Sequence, residues 1–271
     1  MTSKKIISER IKSKEKKGIE VKEFIIEEGD KKIYGKLYSP TEVQKYPAII
    51  LSHGYNGVSS DFESECRYFA QNGYVAYAYD FCGGSTRSKS SGTSTGMTIF
   101  TETEDLLIVL NRIRSLENVD VDHIYLMGGS QGGLITSLVA EENEALIRGM
   151  ILYYPAFNIP DDWRSNFASV DNLPETIDFW GLTLGKNFFM SIRDFYTFDN
   201  IGKFAKDVLI IHGDQDAIVI LSNSEKAQKV YKNAELVVLP GEGHGFSSRG
   251  AEVTRELVLN FMENISDRMT G

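Results

Sequence analysis

The sequence predicts an α/β fold, a mostly parallel central sheet covered by helices on both faces. Six short apolar runs, at 47–52, 74–80, 123–128, 147–153, 207–212 and 235–239, alternate with helical stretches at 61–72, 100–116, 131–142, 222–231 and 251–264. The runs are nearly continuous in apolar residues, as strands buried on both faces must be, and their alternation with helices is the mark of parallel crossovers. A third feature is where the reactive residues fall. Ser130, the pair Asp214 and Asp216, and His244 each follow the C-terminal end of such a run, where open parallel sheets gather ligands and catalytic groups. With 271 residues, 42% apolar and 25% charged, the chain suits one large domain, or one domain carrying an insertion.

The charge is uneven along the chain. Of the net −9, residues 1–17 contribute +5, from seven Lys/Arg against Glu9 and Glu15. The apolar core of a signal peptide is missing there, so 1–20 is expected to be a solvated basic tail or helix rather than a membrane or partner arm. The acidic remainder, with no basic stripe, disfavours nucleic acid as a partner. No apolar run reaches the roughly 18 residues of a membrane span, so no stable membrane association is expected. Cys66 and Cys82 form no disulfide framework, which points to a reducing, cytoplasmic setting. A homodimer stays open.

Next come two alternating stretches, 21–28 and 32–38, joined by Gly29-Asp30, which read as an antiparallel hairpin. The run 47–52 ends in Ser52-His53-Gly54-Tyr55, and its glycine lets the chain turn and expose the Tyr55 amide as a candidate oxyanion donor. His53 is expected to order this loop rather than to react. The Gly/Ser/Thr-rich stretch 83–96 is a loop.

Gly128-Gly129-Ser130-Gln131-Gly132 is a G-x-S-x-G pattern placed between a strand and a helix, where it acquires a mechanical meaning. A serine on that sharp turn takes a strained backbone, and the glycines let strand and helix pass closely. Ser130 is the candidate nucleophile, and the Gln131 amide is the second oxyanion donor. The plainer alternative is a glycine-rich turn whose serine only caps a helix.

A serine nucleophile needs a base and an acid behind the base. His244, between Gly243 and Gly245 in a loop, is poorly placed for core packing and is the candidate base. Asp214 and Asp216 both follow the run 207–212, and spacing alone does not separate them; the one not used is expected to bond turn amides. The chain order Ser130, Asp216, His244 is that of the α/β-hydrolases. His53, His123, His212 and His244 form no metal-ligand motif, and no metal or cofactor is expected.

The alternation breaks between 156 and 200. This segment holds ten of the chain's 30 aromatic residues and both tryptophans, Trp163 and Trp180. A small insertion must build its own core from few residues, and some rings are also expected to face the serine as an apolar acyl pocket.

On these residues the chain resembles the α/β-hydrolase superfamily and, more narrowly, bacterial cinnamoyl/feruloyl esterases with a small inserted cap. The resemblance runs from about Tyr46 onward. It is carried by His53-Gly54-Tyr55, Tyr79-Asp80-Phe81 with Gly84 and Ser85, Gly128 to Gly133, Leu182 to Gly185, His212-Gly213 with Asp216, and Gly243-His244. The resemblance implies a core over 21–155 and 201–271 with a cap or lid over 156–200. It also implies Asp216 as the triad acid, from the His-Gly-x-x-Asp pattern, and Asp162 as a polar group toward the phenolic end of a hydroxycinnamoyl ester. Trp163 and Trp180 join Asp162 as candidate substrate contacts. The loop Phe81-Cys82-Gly83-Gly84-Ser85 departs from the family's Gly-His-Gly.

The expected activity is that of a serine carboxylester hydrolase acting on a small-molecule ester through an acyl-enzyme. A short-chain carboxylesterase, a monoacylglycerol lipase and an acyltransferase would share these residues. A serine at 130 counts against dehalogenases and epoxide hydrolases, and the lack of an added β-propeller against a prolyl oligopeptidase. A non-catalytic receptor on this fold would predict a damaged triad.

Overall fold

The structure, a computed structural model, describes residues 16–167 and 173–267. Most of the basic N-terminal segment therefore lies outside the described residues.

The N-terminal hairpin comprises β1 (Ile19–Glu23), β2 (Ile26–Glu28), β3 (Lys31–Ile33) and β4 (Gly35–Pro40). It is not the single ladder its alternation predicts. β1 pairs with β4 and joins the main sheet, while β2 and β3 form a separate pair at the tip. The break has a local cause. The buried Tyr77 hydroxyl donates to the Phe24 carbonyl at 2.8 Å and the Asp80 N–H to the Tyr34 carbonyl at 2.8 Å, so these two carbonyls turn to the neighbouring strand, while the Phe24 N–H still donates to the Gly35 carbonyl at 2.8 Å and keeps the register.

From there strand and helix alternate as the sequence predicts: β5 (Tyr46–Ser52), α1 (Glu63–Gln71), β6 (Val75–Tyr79), α2 (Ile99–Arg114), β7 (Val119–Gly129), α3 (Gln131–Glu142) and β8 (Gly149–Tyr153). β7 begins four residues earlier than its apolar run, across a register shift between Tyr46 and Ala48 of β5. The chain then leaves the sheet for α4 (Ile159–Asn166), the antiparallel pair β9 (Thr176–Phe179) and β10 (Leu182–Gly185), α5 (Lys186–Ile192) and α6 (Thr197–Asn200). It returns through β11 (Asp207–Gly213), α7 (Ser222–Val230), β12 (Ala234–Leu239) and α8 (Ser248–Asp267).

The main sheet has eight strands in the order β1-β4-β6-β5-β7-β8-β11-β12. The first two pairings are antiparallel and the others parallel. Successive side chains divide between two cores. Ala48, Ile50, Ile124, Leu126, Met150 and Leu152 face α2 and α3, while Ile49, Leu51, Tyr125, Met127 and Ile151 face α1 and α8. Every one of these is essentially fully buried, which explains why the strands read as continuous apolar runs. Each such aliphatic side chain contributes on the order of 1.5–3 kcal/mol by leaving water. No helix among the described residues is long and apolar enough to cross a membrane.

Candidate active site

Ser130 stands between β7 and α3 with φ 55° and ψ −121°. That conformation costs a non-glycine residue about 1–3 kcal/mol and persists only where its surroundings impose it. They do so here through the backbone. The Ser130 N–H donates to the Tyr153 carbonyl at 2.9 Å, and its own carbonyl accepts from Gly133 at 2.9 Å and Ala156 at 3.0 Å. The glycines are needed for clearance. A Cβ on Gly128 would lie 2.1 Å from the Gly132 carbonyl oxygen, and one on Gly132 would lie 2.3 Å from that of Ser52.

Ser130, His244 and Asp216 come together from three separate strand ends. His244 Nε2 lies 3.1 Å from Ser130 Oγ, and Nδ1 lies 2.8 Å from Asp216 Oδ2. A carboxylate can only accept, so Nδ1 carries the proton and Nε2 is left to accept from the serine hydroxyl. The second Asp216 oxygen accepts from the Ile218 and Val219 amides, each at 2.9 Å. Burial pushes the Asp216 carboxyl up, but the hydrogen bonds from His244, Val219 and Ile218 more than offset it and hold the group below the ordinary value.

Asp214, which spacing left level with Asp216, points elsewhere. It accepts from the Gly241 amide at 2.8 Å and from Gln215 Nε2 at 3.1 Å, and so braces the turn after β12.

His212, the first residue of the His-Gly-x-x-Asp pattern, and Tyr154, which the sequence did not single out, support this arrangement. The buried His212 donates through Nε2 to the Val219 carbonyl at 2.8 Å, and its Nδ1 accepts from Ser224 at 2.7 Å. Burial lowers its pKa, so it stays neutral and clamps the turn carrying Asp216. Tyr154, at φ 35°, sets its ring 4.4 Å from the His244 imidazole, centroid to centroid.

The oxyanion candidates lie against the serine. A Cβ on Gly54 would come within 3.1 Å of Ser130 Cβ, so the turn into Tyr55 runs beside the nucleophile. Gln131 opens α3, and the first N–H groups of a helix have no partner within it. His53 orders this loop, as the sequence suggested. Its Nδ1 donates to the Gly54 carbonyl at 2.7 Å, and Nε2 accepts from the Phe81 amide at 3.1 Å.

A cavity of about 380 Å³ opens on Ser130. Tyr55 and Gln131 line it from the core, Ile218 and Val219 from the turn after Asp216, and Asn158, Asp162, Trp163, Phe179, Trp180 and Phe188 from segment 156–200. All three sequence-derived substrate contacts are therefore on its wall. Trp163 packs edge-on against Phe179 at 4.8 Å and Phe189 at 4.5 Å, whereas Trp180 is 63% exposed and stacks on Phe179. Asp162 accepts from Asn158 Nδ2 at 2.5 Å. The aromatic richness thus serves both purposes: Phe188 and Phe189 are buried in the core shared with α2 and α3, and Trp163, Phe179, Trp180 and one side of Phe188 border the cavity. Among the described residues no cluster of His, Cys, Asp and Glu is arranged to hold a metal ion.

An eight-stranded, mostly parallel sheet with a strained serine at the end of a central strand defines a serine hydrolase of the α/β-hydrolase fold. Residues 60–267 match the model of the prolyl oligopeptidase family, and the chain belongs to that family. This corrects the sequence reading, which counted against a prolyl oligopeptidase. The uncharacterized protein YfhR of Escherichia coli O157:H7 is 25% identical over 223 residues, 79% of this chain and 69% of that protein. Est1E from Butyrivibrio proteoclasticus, solved with ferulic acid bound, superposes with a TM-score of 0.82 at 29% identity, covering 90% of this chain and 99% of that one.

Proposed function

We propose that the chain is a carboxylic ester hydrolase that cleaves small aromatic esters of the hydroxycinnamoyl (feruloyl) type through an acyl-enzyme on Ser130. One observation carries this. The hydrogen-bonded series Ser130–His244–Asp216 opens on a cavity bordered by Trp163, Phe179 and Trp180. About 380 Å³ is at the small end for ligand sites and suits one ring and a short arm. The likeness to Est1E, which binds ferulic acid, supports the same substrate class.

His244 Nε2 takes the Ser130 proton as Oγ attacks the ester carbonyl. The Tyr55 and Gln131 amides receive the negative charge on the carbonyl oxygen. The imidazolium, steadied by Asp216, returns its proton to the leaving alcohol. Water, deprotonated by the same ring, then releases the acid and restores the serine. Trp163 and Trp180 hold the ring of the acyl group, and Asp162 takes a polar substituent at its far end.

A fluorophosphonate probe should label Ser130, and methyl ferulate should exceed p-nitrophenyl octanoate in kcat/KM by about tenfold or more. Lack of labelling in folded protein would overturn the nucleophile. A preference for octanoate would overturn the aromatic substrate.

A further inference from the structure

The buried face of α2 is built from Ile99, Leu106, Val109, Leu110 and Ile113, and Glu102 occupies a position in the same stripe, 1% exposed. Its neighbour one turn on, Asp105, is met by the Lys31 ammonium at 2.8 Å and the Cys82 amide at 2.8 Å. Glu102 is met instead by a neutral group, the side-chain amide of Gln131, whose Nε2 donates to it at 2.7 Å. Gln131 is the residue directly after Ser130. A second candidate oxyanion residue, Tyr55, and the buried Tyr79, whose hydroxyl pairs with Ser52 at 2.8 Å, both lie within electrostatic reach of the Glu102 carboxyl.

We propose that Glu102 is a positioning residue of the oxyanion hole: its buried carboxyl anchors the Gln131 side chain and thereby fixes the backbone N–H that receives the developing charge. This rests on the function proposed above. A side chain held at its far end restricts its own backbone, and a donor displaced by a fraction of an ångström loses much of its effect on a charge that appears only in the transition state. The anchor works as a neutral acid. A carboxylate bonded to the side chain of the residue next to the serine would repel the forming oxyanion across a water-poor interior. Burial, reinforced by the nearby Asp105 charge and only partly opposed by the Gln131 hydrogen bond, pushes the Glu102 carboxyl up to about 8. The groups facing it are therefore Asp105, balanced by Lys31, and the uncharged Gln131, Tyr55 and Tyr79.

The test compares Glu102→Ala and Glu102→Gln with the wild type in steady-state hydrolysis of p-nitrophenyl acetate from pH 6 to 9.5. Glu102→Ala should lower kcat by about tenfold or more with KM within about threefold, a fraction of the 10²–10³ lost when an oxyanion donor is removed outright. Glu102→Gln keeps an acceptor for Gln131 Nε2 without an ionisable proton. It should recover kcat to within about threefold at pH 7 and lack the fall in kcat expected of the wild type near pH 8. Wild-type kcat in Glu102→Ala overturns the proposal. If that variant does not fold, an alkaline fall in Glu102→Gln identical to the wild type's overturns it equally. Failure of wild-type protein to take the fluorophosphonate label would instead sink the hydrolase function, and the proposal with it.

Discussion

The Tyr55 hydroxyl donates to the Phe179 carbonyl at 2.7 Å, tying the loop after β5 to the hairpin of β9 and β10. The two residues are 124 positions apart. Their rings also meet edge-on at 5.4 Å, and Asn56 reaches the Trp180 carbonyl from the same loop at 3.5 Å. Residues that border the nucleophile therefore also hold the far wall of the cavity.

Tyr55→Phe removes that hydroxyl and leaves the backbone N–H in place. A lost hydrogen bond of this kind is worth about 1 kcal/mol. KM for an aromatic ester should rise about three- to tenfold while kcat stays within about threefold, measured by steady-state kinetics. A collapse of kcat at unchanged KM would mean that the hydroxyl takes part in the reaction.

Asp216→Asn should lower kcat by about 10³-fold or more, because an amide no longer enforces the imidazole tautomer that leaves Nε2 free. Asp214→Asn should leave kcat within a few-fold and cost about 1 kcal/mol of stability, read by denaturant unfolding, since its carboxylate braces only the Gly241 turn. The opposite ranking of the two kcat values would reassign the acid.

Glu102 also makes a stability prediction with a definite sign. Its folded value is about 8, against an ordinary 4.5. Between those values the unfolded chain has lost this proton and the folded one has kept it, so stability falls as pH rises from 4.5 to 8. The loss over the whole window is a few kcal/mol. Glu102→Gln should therefore gain in Tm relative to the wild type as pH goes from 5 to 8. Asp216 acts oppositely at lower pH and cancels in that difference. A Tm difference that stays constant with pH would show that Glu102 is ionised in the native state.

Much of the core was legible because its signals are local. The five- to seven-residue apolar runs and the turn chemistry around Gly128 and Gly213 lie within short windows of sequence. Asp216 could not be told from Asp214 by spacing, since the choice depends on how the turn after β11 meets the Gly241 turn in space. Tyr154 was missed because its contact with His244 arises from chain crossing. Glu102 was missed for a different reason. In Thr101-Glu102-Thr103-Glu104-Asp105 it resembles an ordinary acidic first turn, yet its spacing from Ile99 and Leu106 already put it on the apolar face. The hairpin's split was illegible because the groups that meet the Phe24 and Tyr34 carbonyls there, Tyr77 and Asp80, come from a distant part of the chain.

The sheet releases the chain after Tyr153 and takes it back at Asp207, while Ser130, Asp216 and His244 all sit outside that interval. Most of the cavity wall thus comes from one contiguous stretch of chain. A graft of 156–200 from a relative would transplant substrate choice and leave the reaction where it is, provided the host core presents a tyrosine at 55 to receive it.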